Sequence, residues 1–205
     1  MKVAAILLAA GQSTRMGSTK GLLPWKGKSL FEHQLHELDA SNLSQVIVVT
    51  GHKSEHFMQI AASYSVTAIM NTEYLNGKCS SILTGLQRVR KETEAVLVTA
   101  IDQPTDKSII HQLISTLQQN NALITVPVFS GKRGHPILFS AKIMKDLLSI
   151  SEETMGLRHL VQKYDTNVIE VPIHNELINL NINTPSDYQK ALDLNNKRRD
   201  KNASF

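Results

Sequence analysis

Four stretches of the chain carry residue types suited to phosphate, cation and nucleoside chemistry. The first is Gly11-Gln12-Ser13-Thr14-Arg15-Met16-Gly17-Ser18-Thr19-Lys20. Its glycines let backbone N–H groups approach an anion, and Arg15 and Lys20 add fixed positive charge. That equipment suits a triphosphate, although the same composition describes an ordinary loop with two solvated bases. The second stretch is Asp102-Gln103-Pro104. A carboxylate at a strand end beside phosphates suits Mg²⁺, which takes one or two carboxylates together with substrate oxygens. Alone, it also fits a turn aspartate before proline. The third is Asn71 followed by Gly77-Lys78-Cys79-Ser80-Ser81, which opens a helix. The N–H groups and hydroxyls there can receive a base edge, a ribose or a phosphate, while Ser80 or Ser81 can equally cap the helix. The fourth, Gly134-His135-Pro136, reads as a turn facing a substrate or as a satisfied turn histidine. Cys79 reads as a small packing residue, and the histidine pairs His33/His36 and His52/His56 as surface or helix-face residues. Gly21 to Ser29 is not a P-loop: five residues separate its glycines, where that motif has four, and it contains Pro24. The segment Pro24 to Lys28 reads as a turn.

These loops need a frame. Val3 to Ala10 is a continuous apolar run, as in a strand buried on both faces. Further strands are expected at Gln45 to Thr50, Val66 to Asn71 and Ala95 to Ile101. Helices are expected at Glu32 to Asp39, Ser54 to Tyr64 and Ser80 to Arg90, and from Asp106 as cap to about Gln119. Strand and helix alternate at the spacing of parallel βαβ units, which predicts an α/β protein: a three-layer α/β/α sandwich with a Rossmann-like, mainly parallel sheet. The later part reads as mixed. Extended segments Leu123 to Phe129 and His135 to Phe139 flank a glycine-bearing loop; helices follow at Lys142 to Ser149 and Met155 to Tyr164, then strands at Asn167 to Ile173 and Leu177 to Ile182, then a helix opened by Pro185. Ligands of such sheets sit beyond the carboxyl ends of the strands, so the loops after the first, third and fourth strands should share one rim.

Hydrophobic residues make up 41% of the 205 and charged residues 20%, enough for a real core. No linker or repeat divides the chain, so one domain is expected over 1–194, with a basic, disordered tail over 195–205. The formal charge is +4, and most of the excess lies in that tail, where Lys197, Arg198, Arg199 and Lys201 face only Asp200. A nucleic-acid role built on global charge therefore loses its support. One cysteine excludes an internal disulfide and a multi-thiolate zinc site, and it is compatible with a reducing compartment. No apolar run approaches the ~18 residues needed to span a bilayer, so no membrane role is expected and a cytoplasmic location is.

The run Leu8-Ala9-Ala10-Gly11 through Lys20 resembles the signature of the nucleotidyltransferases that handle the molybdenum cofactor. Their wider superfamily includes sugar-nucleotide and methylerythritol cytidylyltransferases. Asn71 to Leu86, Asp102-Gln103-Pro104, Gly134-His135-Pro136 and Leu180 to Tyr188 resemble further segments of the same family. The set is similar to its cytidylyltransferase branch and to the bacillus-type purine catabolism proteins that serve xanthine dehydrogenase. The resemblance implies a Rossmann-like fold and transfer of a nucleotidyl group to the phosphate of molybdopterin. By motif, Leu8, Ala9, Ala10 and Gly11 contact the nucleotide, Arg15 and Lys20 hold its phosphates, and Asn71, Gly77, Ser80 and Ser81 surround base and ribose. Asp102 and Asn183 take Mg²⁺, and Gln103, Gly134, His135 and Pro136 face the acceptor. Leu-Ala-Ala-Gly accompanies CTP in this family, where Leu-Ala-Gly-Gly accompanies GTP. A molybdoenzyme is the implied partner. One segment departs from the pattern: relatives read Asp-Ile-Asp-Thr-Pro where this chain has Asn181-Ile182-Asn183-Thr184-Pro185. Either the cation is held more weakly or turnover has been lost and binding kept. A sugar- or polyol-phosphate nucleotidyltransferase and a non-catalytic cofactor-delivery factor are the competing readings.

Overall fold

The computed structural model describes residues 1–203, with side-chain placements through 197. The strands are β1 (Val3–Ala9), β2 (Pro24–Trp25), β3 (Lys28–Ser29), β4 (Gln45–Thr50), β5 (Thr67–Met70), β6 (Ala95–Ala100), β7 (Ile124–Phe129), β8 (Lys132–Arg133), β9 (Ile137–Ser140) and β10 (Val168–Pro172). The α-helices are α1 (Leu30–Asp39), α2 (Ser54–Ala61), α3 (Lys78–Leu86), α4 (Lys107–Asn120), α5 (Met144–Leu147), α6 (Leu157–Lys163) and α7 (Pro185–Ala203).

The main sheet runs β10-β7-β9-β6-β1-β4-β5, with β8 paired on β7. β6, β1, β4 and β5 are mutually parallel, while β9 runs antiparallel between β6 and β7. This is the expected three-layer arrangement with a mixed later part.

Side-chain alternation explains the layers. In β1, Val3, Ala5, Leu7 and Ala9 enter a core shared with α1, α2 and α4. Ile6 and Leu8 face the opposite core, shared with α3, α5 and α6. β4 and β6 divide their residues the same way, so the central strands are apolar throughout because both faces are covered. Gly85 lets α3 approach closely: a Cβ there would meet Ile6 Cγ2 at 2.7 Å. Helix α1 starts at a capping box, in which the Ser29 hydroxyl accepts from Glu32 N–H and the Glu32 carboxylate accepts from Ser29 N–H.

Several local expectations are corrected. Leu177 to Ile182 forms no strand: Glu176–Asn179 is a 3₁₀ turn, followed by irregular chain. Its apolar residues alternate because Leu177 and Ile182 bury against Trp25, Leu30 and α7, not because they join a ladder. Asp106 stands at the N-cap of α4 without a side-chain capping bond; its carboxylate instead binds Lys26 at 3.0 Å and Asn175 at 3.2 Å. His33 is buried, not on the helix surface, and burial foremost, then Lys26, pushes its pKa down to about 4. α7 continues to Ala203, past the start expected for the tail, and Asn195 is buried within it. Residues 204–205 and the side chains of 198–203, on which the rest of the tail expectation falls, lie outside the described residues. Among the described residues, no helix is long and apolar enough to cross a membrane.

Candidate active site

Parallel β1, β5 and β6 bring their following loops to one rim, as the topology rule requires. The first loop is folded on itself. Ser13 is left-handed (φ 58°), Met16 N–H donates to Ser13 O at 3.0 Å, and Gly17 is also left-handed (φ 69°). Met16 is buried in the cluster around Trp25, which anchors the loop. Lys20 N–H donates to Ser13 Oγ at 3.2 Å, closing the loop at its far end.

The Lys20 ammonium donates to Asp102 Oδ2 at 3.2 Å and to Asn183 Oδ1 at 2.6 Å. Its side chain is 12% exposed and that of Asp102 23%. Asn183 is brought there by two supports. Ile182 N–H donates to Asp102 O at 2.9 Å, and Gln103 Nε2 donates to Asn181 Oδ1 at 2.7 Å. The Asp187 carboxylate accepts from Asn183 N–H, Thr184 N–H and the Thr184 hydroxyl, which fixes the turn into α7. The Thr184 hydroxyl bond foremost holds the Asp187 carboxyl below the usual carboxylate range.

Asn71, buried at the end of β5, donates through Nδ2 to Ser80 Oγ (2.9 Å) and Ser81 Oγ (3.0 Å), while its Oδ1 accepts from Glu73 N–H. The Ser80 hydroxyl turns back to Gly77 O at 2.8 Å. Asn71 and Ser80 therefore clasp the 71–81 loop. Neither serine caps α3: Gly77 is the N-cap, and the Glu152 carboxylate accepts from Cys79 N–H at 2.6 Å. Gly77 has φ +103°, and a Cβ there would meet Glu152 Oε1 at 2.4 Å, so the position needs glycine on both counts. Burial pushes the Cys79 thiol up to about 11, with the Glu152 charge adding to it; the sulfur packs as a small apolar group.

These elements enclose a cavity of about 300 Å³. Of the residues singled out from the sequence, Leu8, Ala10, Gly11, Lys20, Gly77, Ser81 and Asp102 line it. Ala9, Arg15, Asn71, Ser80 and Asn183 do not line it; Arg15 is exposed on the 3₁₀ turn of the first loop, and Asn183 is joined to the site through Lys20. Ser13, Tyr74, Lys78, Ala100 and Ile101 also line it and were not singled out from the sequence.

A second cavity of about 540 Å³ lies on the other side of the start of α3. Ile82, Val126, Ile137 and Val161 give it an apolar lining, and Arg133, Arg158, His135 and Gln162 add polar groups. Gly134 lines it beside His135; a Cβ there would meet Ile178 O at 2.4 Å, so this crossing also needs glycine. Burial foremost, then Lys78, pushes the His135 pKa down to about 4, against the opposing pull of Asp102. Its imidazole is neutral at pH 7. Gln103 and Pro136 line neither cavity. The Arg133 guanidinium is occupied by Glu170 and Asp165, each at 2.8 Å.

Residues 5–168 match the family described as MobA-like NTP transferase domain. The molybdenum cofactor cytidylyltransferase of Escherichia coli (strain K12) is 30% identical over 91% of this chain and 93% of its own length. A probable molybdenum cofactor guanylyltransferase of Bacillus cereus (strain Q1) is 26% identical over 96% of this chain and 99% of its own. Among solved structures, Rv0371c of Mycobacterium tuberculosis H37Rv superposes with TM-score 0.81 at 22% identity, covering 94% of this chain and 98% of that one. The same protein has also been solved in complex with manganese, with TM-score 0.77 at 20% identity, covering 94% and 99%.

Proposed function

We propose that this chain, which belongs to the MobA-like NTP transferase domain family, moves CMP from CTP to the phosphate of molybdopterin and releases pyrophosphate. Nucleotide transfer is the business of the family; the base and the acceptor are our reading. The observation that carries it is that Gly11, Ser13 and Lys20 of the folded first loop line one cavity together with Asp102, that Asn183 reaches this group through Lys20, and that the cavity adjoins a second, apolar-lined one.

In this reading the smaller cavity takes the nucleotide and the larger one the acceptor. Three features support CTP. The Leu8-Ala9-Ala10-Gly11 run matches the cytidylyltransferase form of the motif, Ala10 lines the smaller cavity at the position where the guanylyltransferase form has glycine, and the E. coli relative is a cytidylyltransferase. The apolar lining of the larger cavity suits a ring system, and its cationic edge suits a phosphate.

The chemistry asks little of side-chain proton transfer. A phosphomonoester is already anionic near neutral pH, so no general base is needed. An oxygen of the acceptor phosphate attacks the α-phosphorus in line, and the bond to the pyrophosphate oxygen breaks. The protein holds two anions in that geometry and neutralises charge on the leaving group. The loop N–H groups and Lys20 do this on the nucleotide side, with Arg15 at the loop's outer edge. Asn71, Gly77, Ser80 and Ser81 shape the base and ribose wall, two of them as the clasp behind it. Gly134 and His135 border the acceptor, His135 as a neutral hydrogen-bonding group. Asp102 Oδ2 and Asn183 Oδ1 both converge on a single positive centre, the Lys20 ammonium, and hard oxygens arranged in this way fit Mg²⁺. Those two residues would hold it, and when bound it supplies charge neutralisation at the phosphates.

Such a protein would act in the cytoplasm and pass its product to a molybdoenzyme. The test is incubation with CTP, GTP, ATP or UTP, Mg²⁺ and molybdopterin, reading pyrophosphate. Release with CTP well above the other nucleotides is expected. Release only with a sugar or polyol phosphate would move the acceptor assignment. Tight cofactor binding without pyrophosphate would instead make the chain a delivery factor.

A further inference from the structure

Lys78 is the residue that lines both cavities. It is the first residue of α3, and there is no acidic residue in that helix's first turn. A lysine there opposes the helix dipole, which favours anions at an N-terminus. Its side chain makes no hydrogen bond or ion pair among the described residues. Two neighbouring cations are committed, Lys20 to Asp102 and Asn183 and Arg133 to Glu170 and Asp165, while Arg158 lines the larger cavity only. The N–H of Cys79 at the same helix end is already taken by Glu152. Lys78 is exposed, so the cost of a cation against the local dipole is small, but it is offset by no partner, and its place at the junction of the two cavities leaves its ammonium free to reach into either.

We propose that Lys78 is a catalytic residue whose ammonium spans the α-phosphate of the nucleotide and the phosphate of the acceptor; this rests on the reading of the two cavities given above. In-line transfer drives one phosphate onto another, so mutual repulsion is greatest at the point of reaction. A compact ammonium on a flexible stem has three donors and can serve both groups at once. Lys78 takes no part in proton transfer. The new bond joins the acceptor oxygen to the α-phosphorus, and the old bond's electron pair leaves with pyrophosphate. The charge on Lys78 matters most when both anions are present, which makes its effect one on transfer more than on nucleotide binding.

Lys78→Met keeps the stem and removes the charge; Lys78→Arg keeps the charge. With CTP, Mg²⁺ and molybdopterin, Lys78→Met should lower kcat/KM for molybdopterin about tenfold or more, as for loss of one charge donor at a reacting centre. The Kd for CTP alone should change less than about threefold, because the loop and Lys20 remain, and Lys78→Arg should recover most of the rate. A second readout needs no acceptor. Acetylation of the Lys78 amine, followed by mass spectrometry, should slow when CTP and Mg²⁺ saturate the protein. It should slow further when inorganic phosphate is added on top. Unchanged transfer in Lys78→Met, an equal loss of CTP affinity, or no second slowing with phosphate overturns the proposal. Both slowing steps in a protein that does not modify molybdopterin would uphold Lys78 and sink the acceptor assignment. Transfer in the wild type without those steps would do the reverse.

Discussion

Lys20 and Asn183, 163 residues apart in sequence, share a 2.6 Å hydrogen bond beside the smaller cavity, which Lys20 lines. The bond joins the first loop to the last irregular segment, and Asp102 completes the triangle from the centre of the sheet. On the functional reading, this triangle is where the nucleotide's phosphates and their cation are gripped.

Removing its charges should remove turnover. Lys20→Ala and Asp102→Ala are each expected to cut pyrophosphate release by roughly a hundredfold or more, in line with losing a charge stabiliser at a developing anion. Both side chains sit at the rim and not in the apolar cores, so the variants should melt cooperatively, close to the wild type. Full activity of Lys20→Ala with CTP and Mg²⁺ would remove this loop from the chemistry.

The amide at Asn183 leaves Asp102 as the sole carboxylate of the triangle. Asn183→Asp should raise affinity for a divalent ion about tenfold, because charge count sets the strength of oxygen-donor sites. Mn²⁺ binding followed by paramagnetic resonance, with CTP present, measures this directly. An unchanged affinity would place Asn183 outside the cation's shell.

Ala10 lines the smaller cavity, the nucleotide site on the functional reading. Ala10→Gly should move the ratio of kcat/KM for GTP over CTP upward by about tenfold, since one methyl group of steric fit is worth roughly 1 to 3 kcal/mol of discrimination. Competition between the two nucleotides in one reaction mixture gives the ratio without absolute rates.

His33 and His135 both have pKa values pushed down to about 4, burial being the first cause for each. In the unfolded chain they titrate near 6.5, as unperturbed histidines do. Between those values the unfolded state binds more protons, so stability is full above about pH 6.5 and falls as pH drops toward 4. The slope is at most about 1.4 kcal/mol per pH unit for each group. Urea midpoints at pH 7.5, 6 and 5 should decline accordingly, and His33→Gln should shallow the decline. A flat profile over that range would mean that neither imidazole is as enclosed as described.

With its thiol pushed up to about 11, Cys79 should resist iodoacetamide at pH 7.5 in the folded protein and react fully in urea. Cys79→Ala should leave transfer within about twofold and cost roughly 1 kcal/mol of stability, the value of a small buried deletion. Rapid labelling of the native protein would contradict the packing role.

The central sheet was legible because β1, β4 and β6 are covered on both faces and therefore read as unbroken apolar runs. The rim followed from the topology: loops that end parallel strands must meet. Leu177 to Ile182 misled because packing against α7 produces the same alternation as a ladder, and only the tertiary partner tells them apart. The roles of Asn71 and Ser80 were hidden for a similar reason, since a clasp behind a wall and a contact at its surface use the same polar residues. His33 gave no sign of its burial, because an imidazole suits either face of a helix. Lys78 did leave a trace, a cation at a helix start where an acid or a hydroxyl is favoured, but that trace gains meaning only once the two cavities are seen to meet there.

The family match ends at residue 168, yet the third corner of the triangle is Asn183. During synthesis, the sheet and the first loop can therefore be complete while Lys20 still lacks one of its two partners. A nascent or truncated chain ending before the 181–183 segment would hold a shaped pocket with Lys20 tied to Asp102 alone, so on the functional reading the site is finished last, by the stretch of chain that crosses back over the β6 loop.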